Sequence, residues 1–268
     1  MTSLRNLARY FRLYGHFVAF SFAKGFEFRF DFYMRILMDL CYYAVAIAFF
    51  KVIYLHTPNL GGWNERQAMV FVSAYLIVDA ICMTMFTNNL WILPTLINRG
   101  DLDYYLVRPI SGLFFVSLRD FAANSFVNLL CAFGIFGWAL SHFGEPISIA
   151  RVGLFLGLIF CGSLIFFSLN GIANLLVFWT QSPNGFGEMV WTLNKFSERP
   201  DGIYHGVARK VLLLVLPFAV ISSLPARILI EGPSWSVALH VVGVTALFLG
   251  LLVTVWRLGL RSYSSASS

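Results

Sequence analysis

The sequence predicts an all-α polytopic membrane protein: six transmembrane helices preceded by an N-terminal amphipathic interfacial helix, forming a single transmembrane domain over residues 1–268. Three observations carry this expectation. Of the 268 residues, 59% are hydrophobic and 12% are charged, about half the charge of an ordinary soluble domain. A mean hydropathy of +0.75 and 28 Phe leave too little polar surface to clothe a particle exposed to water. Apolar runs of about 20 residues, the length that crosses a hydrocarbon core, also recur along the chain.

The elements follow in order. Residues 4–33 read as an interfacial helix, with Arg5, Arg9 and Arg12 on a basic face and Leu4, Leu7, Phe11, Tyr14, Val18 and Phe22 recurring at helical spacing on another. A solvated helix packed on a partner is the alternative. Span 1 is placed at 36–56 and span 2 at 67–87, joined by a turn built from Pro58, Asn59, Gly61 and Gly62. A cytoplasmic segment at 89–112 precedes span 3 at 116–143. Span 4 covers 152–180 and span 6 covers 235–257.

The fifth span, within 183–231, admits two readings. Hydropathy favours one helix from Val211 to Ile230, interrupted by Pro217 and Pro225, with 182–210 as a cytoplasmic loop. The other makes 184–197 a short crossing and folds 203–230 into a re-entrant hairpin at the outer face. In the first reading, 15 of the 19 Lys and Arg lie on the side of the termini, which places both termini in the cytoplasm. The second weakens that bias to 11 against 8.

The net charge of +6 does not point to nucleic acid, because the cations stand before the first apolar run and thinly between runs. The first 35 residues carry charges throughout, so no cleavable signal peptide is expected. Cys41, Cys82, Cys131 and Cys161 lie in separate apolar stretches without metal-ligand spacing. No phosphate-cradling GxxxxGK[ST], HExxH or GxSxG motif occurs. The chain is therefore expected to hold no cofactor and to catalyse no reaction itself.

One segment concentrates polar chemistry. Between spans 2 and 3, Arg99, Gly100, Asp101, Leu102, Asp103, Tyr104, Leu106, Arg108 and Pro109 suggest a short helix bounded by Pro94 and Pro109, with Asp101 in its first turn and Arg108 in its last. It reads as a docking knob for a soluble partner or as an ordinary surface loop. Inside the spans, Asp79 is a candidate path or intersubunit residue or else a group hydrogen-bonded within the bundle. Asn124 with Asn128, and Asn170 with Asn174, form i,i+4 pairs suited to interhelical hydrogen bonds or to cavity lining. Gly153 and Gly157 form a GxxxG that permits close helix approach. Trp63, Trp91, Trp179, Trp235 and Trp256 suggest an aromatic belt.

The run RGDLDYYLVRPIS at 99–111, TPNLGGW at 57–63, NNLW at 88–91 and LPFAVISSLPARIL at 216–229 together resemble the permease subunits of type-2 family ATP-binding-cassette exporters, over nearly the whole chain. The resemblance implies the six-span permease fold of that family, with residues 99–109 as the coupling helix that docks on a cytoplasmic ATPase. It also implies an interfacial helix at 4–33, and it favours the re-entrant hairpin at 203–230. The implied partners are an ABC ATPase dimer, which holds ATP and magnesium, a second permease subunit, identical or paralogous, and the lipid of a plasma (bacterial inner) membrane. Rival readings are an intramembrane lipid-modifying enzyme and an ATP-independent secondary transporter. The first lacks metal-ligand company for Asp101 and Asp103, and the second lacks an internal repeat.

Overall fold

The computed structural model describes residues 2–182 and 185–263, and all its regular elements are helical. They are α1 (Thr2–Glu27), α2 (Arg29–Tyr54), α3 (Glu65–Cys82), a π turn (Met83–Thr87), α4 (Asn88–Arg99), α5 (Asp103–Leu106), α6 (Gly112–Leu118) and α7 (Ala123–Ser141). The second half contains α8 (Ile149–Leu175), α9 (Val177–Thr180), α10 (Gly185–Leu193), 3-10 turns at Asn194–Glu198 and Asp201–Ile203, α11 (Gly206–Leu214), α12 (Phe218–Glu231) and α13 (Trp235–Ser262). Among the described residues five helices are long and apolar enough to cross a membrane, and six if the bent pair α11 and α12 counts as one.

The α2–α3 turn shows how local chemistry sets these boundaries. Gly61 and Gly62 take positive φ, which suits residues without a Cβ, and Leu60 pairs with Trp63 through two backbone bonds. Asn64 then caps α3 reciprocally: its side chain accepts the Gln67 N–H and the Gln67 side chain accepts its own N–H, both at 3.0 Å.

Span 2 is longer than expected, because α3, the π turn and α4 form one 35-residue rod from Glu65 to Arg99. Pro94 lies buried inside this rod and does not bound a loop. Within a bundle, neighbouring groups compensate for the backbone bond a proline forfeits. The π turn has a visible cause. Thr87 Oγ1 donates to the Cys82 carbonyl, and the Thr84 carbonyl turns aside to accept the Ala122 N–H at 2.9 Å. Span 3 is correspondingly shorter, since residues 112–118 form the separate helix α6.

The rod is the centre of the bundle. α3 buries residues around its whole circumference, including Phe71, Leu76 and Ile77, and α8, α12 and α7 pack on it. Without a hydrophobic drive between helices in lipid, close van der Waals packing must supply the association. At Gly162 of α8 a Cβ would collide with the Ile221 carbonyl oxygen of α12, so the two backbones touch only because this residue has no side chain. Gly153 and Gly157, the expected contact pair, instead face open space. α2 presents much of its circumference outward, with Leu37, Met38, Val45, Phe49 and Val52 exposed.

Residues 182–231 depart from the hydropathy reading. Residues 211–230 are not one helix: α11 and α12 meet at 90° around Val215–Pro217, where Pro217 lacks the N–H that would continue the ladder. Residues 182–210 are not a plain loop either, since they hold α10 and both 3-10 turns. This segment runs the length of the bundle. Gln181 accepts from Asn98 Nδ2 near Gly100, whereas Gly202 touches Gly61 at the opposite end. α12 is almost wholly buried and finishes at the Gly61 end, where Glu231 accepts from Trp63 Nε1 at 3.3 Å. Trp63 and Trp256 are thereby core residues, 2% and 6% exposed, while Trp91, Trp179 and Trp235 remain on the surface.

Candidate functional site

At the end of the long rod the chain turns through a compact knuckle. Gly100 adopts φ 79° as the left-handed stop of α4, and the Leu102 N–H returns to the Leu96 carbonyl at 3.2 Å. Leu102 is thus turned inward and fully buried. The helix that follows, α5, is a single turn. Asp103, rather than Asp101, occupies its first turn, and Arg108 lies beyond its end. Arg108 is instead fixed by stacking, with its guanidinium 4.6 Å from the Tyr104 ring centroid and 5.1 Å from that of Phe115. Arg119 bonds the Tyr105 hydroxyl. With this scaffold held, Arg99, Asp101, Tyr104, Val107 and Pro109 face outward, while Leu106 rests on Gly112.

α1 is fastened to the same region. The Tyr10 hydroxyl accepts the Ser111 N–H at 3.0 Å and Ser21 Oγ accepts the Phe121 N–H at 3.2 Å. Tyr10, Tyr14 and Phe17 meet Phe114, Phe121 and Phe115 edge-on. Burial pushes the Tyr14 phenol up to about 12. Arg9 and Arg12 are exposed as expected; the Arg5 side chain lies outside the described residues. Phe11 is 68% exposed and does not share the packed stripe with Tyr14. The far end of α13 also reaches the knuckle: burial, and then the charge of Asp103, raises the Tyr263 phenol above its ordinary value.

Of the intramembrane residues, Asp79 of α3 lies within electrostatic reach of Asp39 on α2 and Glu198 in the 3-10 turn. Tyr42 and Tyr75 hydroxyls stand 3.0 Å apart and reach Glu198 Oε1 at 3.4 and 3.2 Å. Asn128 Nδ2 donates to Asp39 Oδ2 across helices, whereas Asn124 Nδ2 donates to its neighbour Ser125. Asn170 accepts from Asn194 Nδ2 at 3.1 Å, and Asn174 Nδ2 donates to the carbonyl of Asn170 within its own helix. Asn174 and Asn170 both line a cavity of about 30 Å³, the space of a water molecule, with Thr87 and Trp191.

Besides Asp39, two further polar residues organise the molecule. Asn89 is fully buried and clamps the backbone of Asp120, donating to its carbonyl at 2.8 Å and accepting its N–H at 3.0 Å. Asp201, also fully buried, binds Arg209 at 2.6 Å and Arg227 at 2.8 Å. Asp39 was missed by the sequence reading, although an acid four residues into the first apolar run was a signal that could have found it. Asn89 and Asp201 gave no comparable signal, because their partners are distant in sequence.

These features define an integral membrane protein: a helical bundle bearing a polar knuckle and a docked amphipathic helix at one end. Residues 40–267 match the family model described as ABC-2 family transporter protein. The chain therefore belongs to the ABC-2 transporter family. No curated protein and no solved structure matches it.

Proposed function

We propose that the chain is the permease subunit of an ATP-binding-cassette exporter, driven by a separate ATPase that holds ATP and magnesium. The observation that carries this reading is the knuckle. Asp101, Tyr104, Val107 and Pro109 stand outward from a turn pinned by buried Leu102, at the tip of a helix that runs through the bundle. Such a projection suits a cleft in a soluble partner, and the rod behind it suits the transmission of force. In this reading the knuckle, α1 and both termini are cytoplasmic, α1 rests in the headgroup layer, and 201–231 is a re-entrant hairpin at the outer face. The exposed face of α2 meets a second permease, identical or paralogous, to enclose the path on which Asp79 lies.

Co-purification with an ATPase encoded beside the permease tests the assignment. The Asp101→Arg, Tyr104→Ala and Val107→Asp triple variant is expected to retain its thermal stability, lose the ATPase and abolish ATP-driven transport. A stable variant that still binds and stimulates the ATPase would sink the docking assignment.

A further inference from the structure

Arg9, Arg12, Leu13 and His16 stand at i, i+3, i+4 and i+7 of α1 and therefore share one of its faces. That face meets the chain just beyond α5. With Arg108, Ile110 and Phe115 these side chains line a cavity of about 500 Å³. Three guanidiniums and an imidazole thus border one space, and no carboxylate does. Among the described residues none of these four basic side chains has an ion pair or a side-chain hydrogen bond. Like charges three residues apart on a helix repel, and a third guanidinium facing them from the knuckle adds to that cost unless an anion occupies the space between.

Arg108 is set for such a ligand. Its guanidinium stacks 4.6 Å from the Tyr104 ring centroid and 5.1 Å from that of Phe115, which holds its plane while its N–H edge has no acceptor among the described residues. A planar guanidinium with a free edge can donate to two phosphate oxygens at once. The uncharged walls define the rest of the ligand. Leu13, Ile110 and Phe115 supply apolar surface beside the arginines, and Phe20, four residues beyond His16 on the same face of α1, is 71% exposed. An inorganic anion would satisfy the guanidiniums and leave this apolar surface in water. A phosphodiester carrying acyl chains covers both.

We infer that the cleft between α1 and the knuckle binds an anionic phospholipid, its phosphate held by Arg9, Arg12 and Arg108 and its acyl chains laid over Leu13, Ile110, Phe115 and Phe20. The site rests on the permease reading, which puts α1 in the headgroup layer, and it makes one lipid a bridge between α1 and the docking knuckle.

The test uses the full-length protein in detergent micelles without ATPase, titrated with phosphatidylglycerol or with phosphatidylcholine of identical chains, and counts bound lipid by native mass spectrometry. Phosphatidylglycerol is expected to bind at least tenfold more tightly. Arg9→Gln with Arg12→Gln, two exposed side chains that bond nothing, should weaken phosphatidylglycerol tenfold or more and leave phosphatidylcholine unchanged. Arg108→Gln should do the same; if its melting temperature falls, the Arg9 and Arg12 pair decides. Arg257→Gln with Arg261→Gln removes the same charge from exposed positions near the end of α13 that reaches the knuckle, and should change neither lipid. Equal affinity for the two lipids overturns the inference. So does an equal loss in both double variants, which would reduce the cleft to general surface attraction. Inorganic phosphate that binds as tightly as the lipid would make this a soluble-anion site and overturn it too. Unchanged lipid binding with lost ATPase association in the Arg9 and Arg12 pair would assign the cleft to an acidic segment of the partner. Absent lipid selectivity with ATPase association intact refutes this inference alone; selective lipid binding without ATPase association refutes only the permease reading.

Discussion

Replacing Asp201 with Ala removes the anion that, through Arg209 and Arg227, ties the 3-10 turn at Asp201–Ile203 to both α11 and α12. The carboxylate is 0% exposed, while its partners Arg227 and Arg209 are 25% and 43% exposed. Breaking a buried pair from one side costs about 3–5 kcal/mol. Arg209 can recover water and Arg227 keeps Glu231 at 3.0 Å, so the lower end applies, about 3 kcal/mol. The comparison is Asp31→Ala, which breaks a pair with Arg35 whose side chains are 62% and 61% exposed; a surface pair of this kind contributes at most about 1 kcal/mol. Reversible unfolding by SDS in mixed micelles, followed by tryptophan fluorescence, measures both. Asp201→Asn should fall between them, since the amide oxygen still accepts but the charge is gone. If Asp201→Ala and Asp31→Ala destabilise equally, burial is not what gives the Asp201 cluster its strength.

Three other substitutions probe the packing. Gly162→Val should prevent α12 from seating against α8 and abolish a cooperative melt, because backbone stands where the side chain would go; a melting temperature within a few degrees of wild type would count against that contact. Asn89→Ala strands two backbone groups of Asp120 and should cost about 2–4 kcal/mol, read in the same SDS titration, with Asn89→Asp recovering the accepted bond alone. Tyr14 is held neutral by burial, so its folded pKa exceeds the unfolded value of 10.0 and reaches about 12. Its contribution to stability is complete below pH 10 and is lost as pH rises toward 12. Tyr14→Phe should therefore lose the wild-type decline in stability over that alkaline interval, and an unchanged slope would assign the decline to other groups.

The helical membrane class was readable from composition because lipid exposure leaves a direct mark on it. The clean apolar runs at 152–180 and 235–257 fall largely in the helices α8 and α13. Where backbone rather than composition decides, the residues were less explicit. Hydropathy cannot see that a π turn lets α3 continue through Pro94 to Arg99, because the stabilising partner is the Ala122 N–H. Nor can it distinguish α12 as a separate helix, since a right-angled break at Pro217 leaves the apolar content unchanged. The two charges most deceptive in the orientation count, Arg199 and Arg209, flank Asp201 at the Gly61 end. Arg209 pairs with that buried acid, which separates it from the simple tally. At the knuckle the polar cluster stood out in the sequence but its helical register did not: a single helical turn has room for Asp103 at its start, not for both Asp101 and Arg108.

The uninterrupted helix from Glu65 to Arg99 acts as a lever. Its 35 residues span about 52 Å at 1.5 Å per residue. A tilt of about 5° at the knuckle would carry the Trp63 end by about 4–5 Å on that length, more than a side-chain contact can follow without breaking. Trp63 is bonded to Glu231, and Gly61 abuts Gly202, so such a swing must either drag the α12 segment along or part it from the turn. In the proposed permease, a displacement small enough to originate in a soluble partner would thereby become, at the opposite end of the bundle, a choice between two seatings.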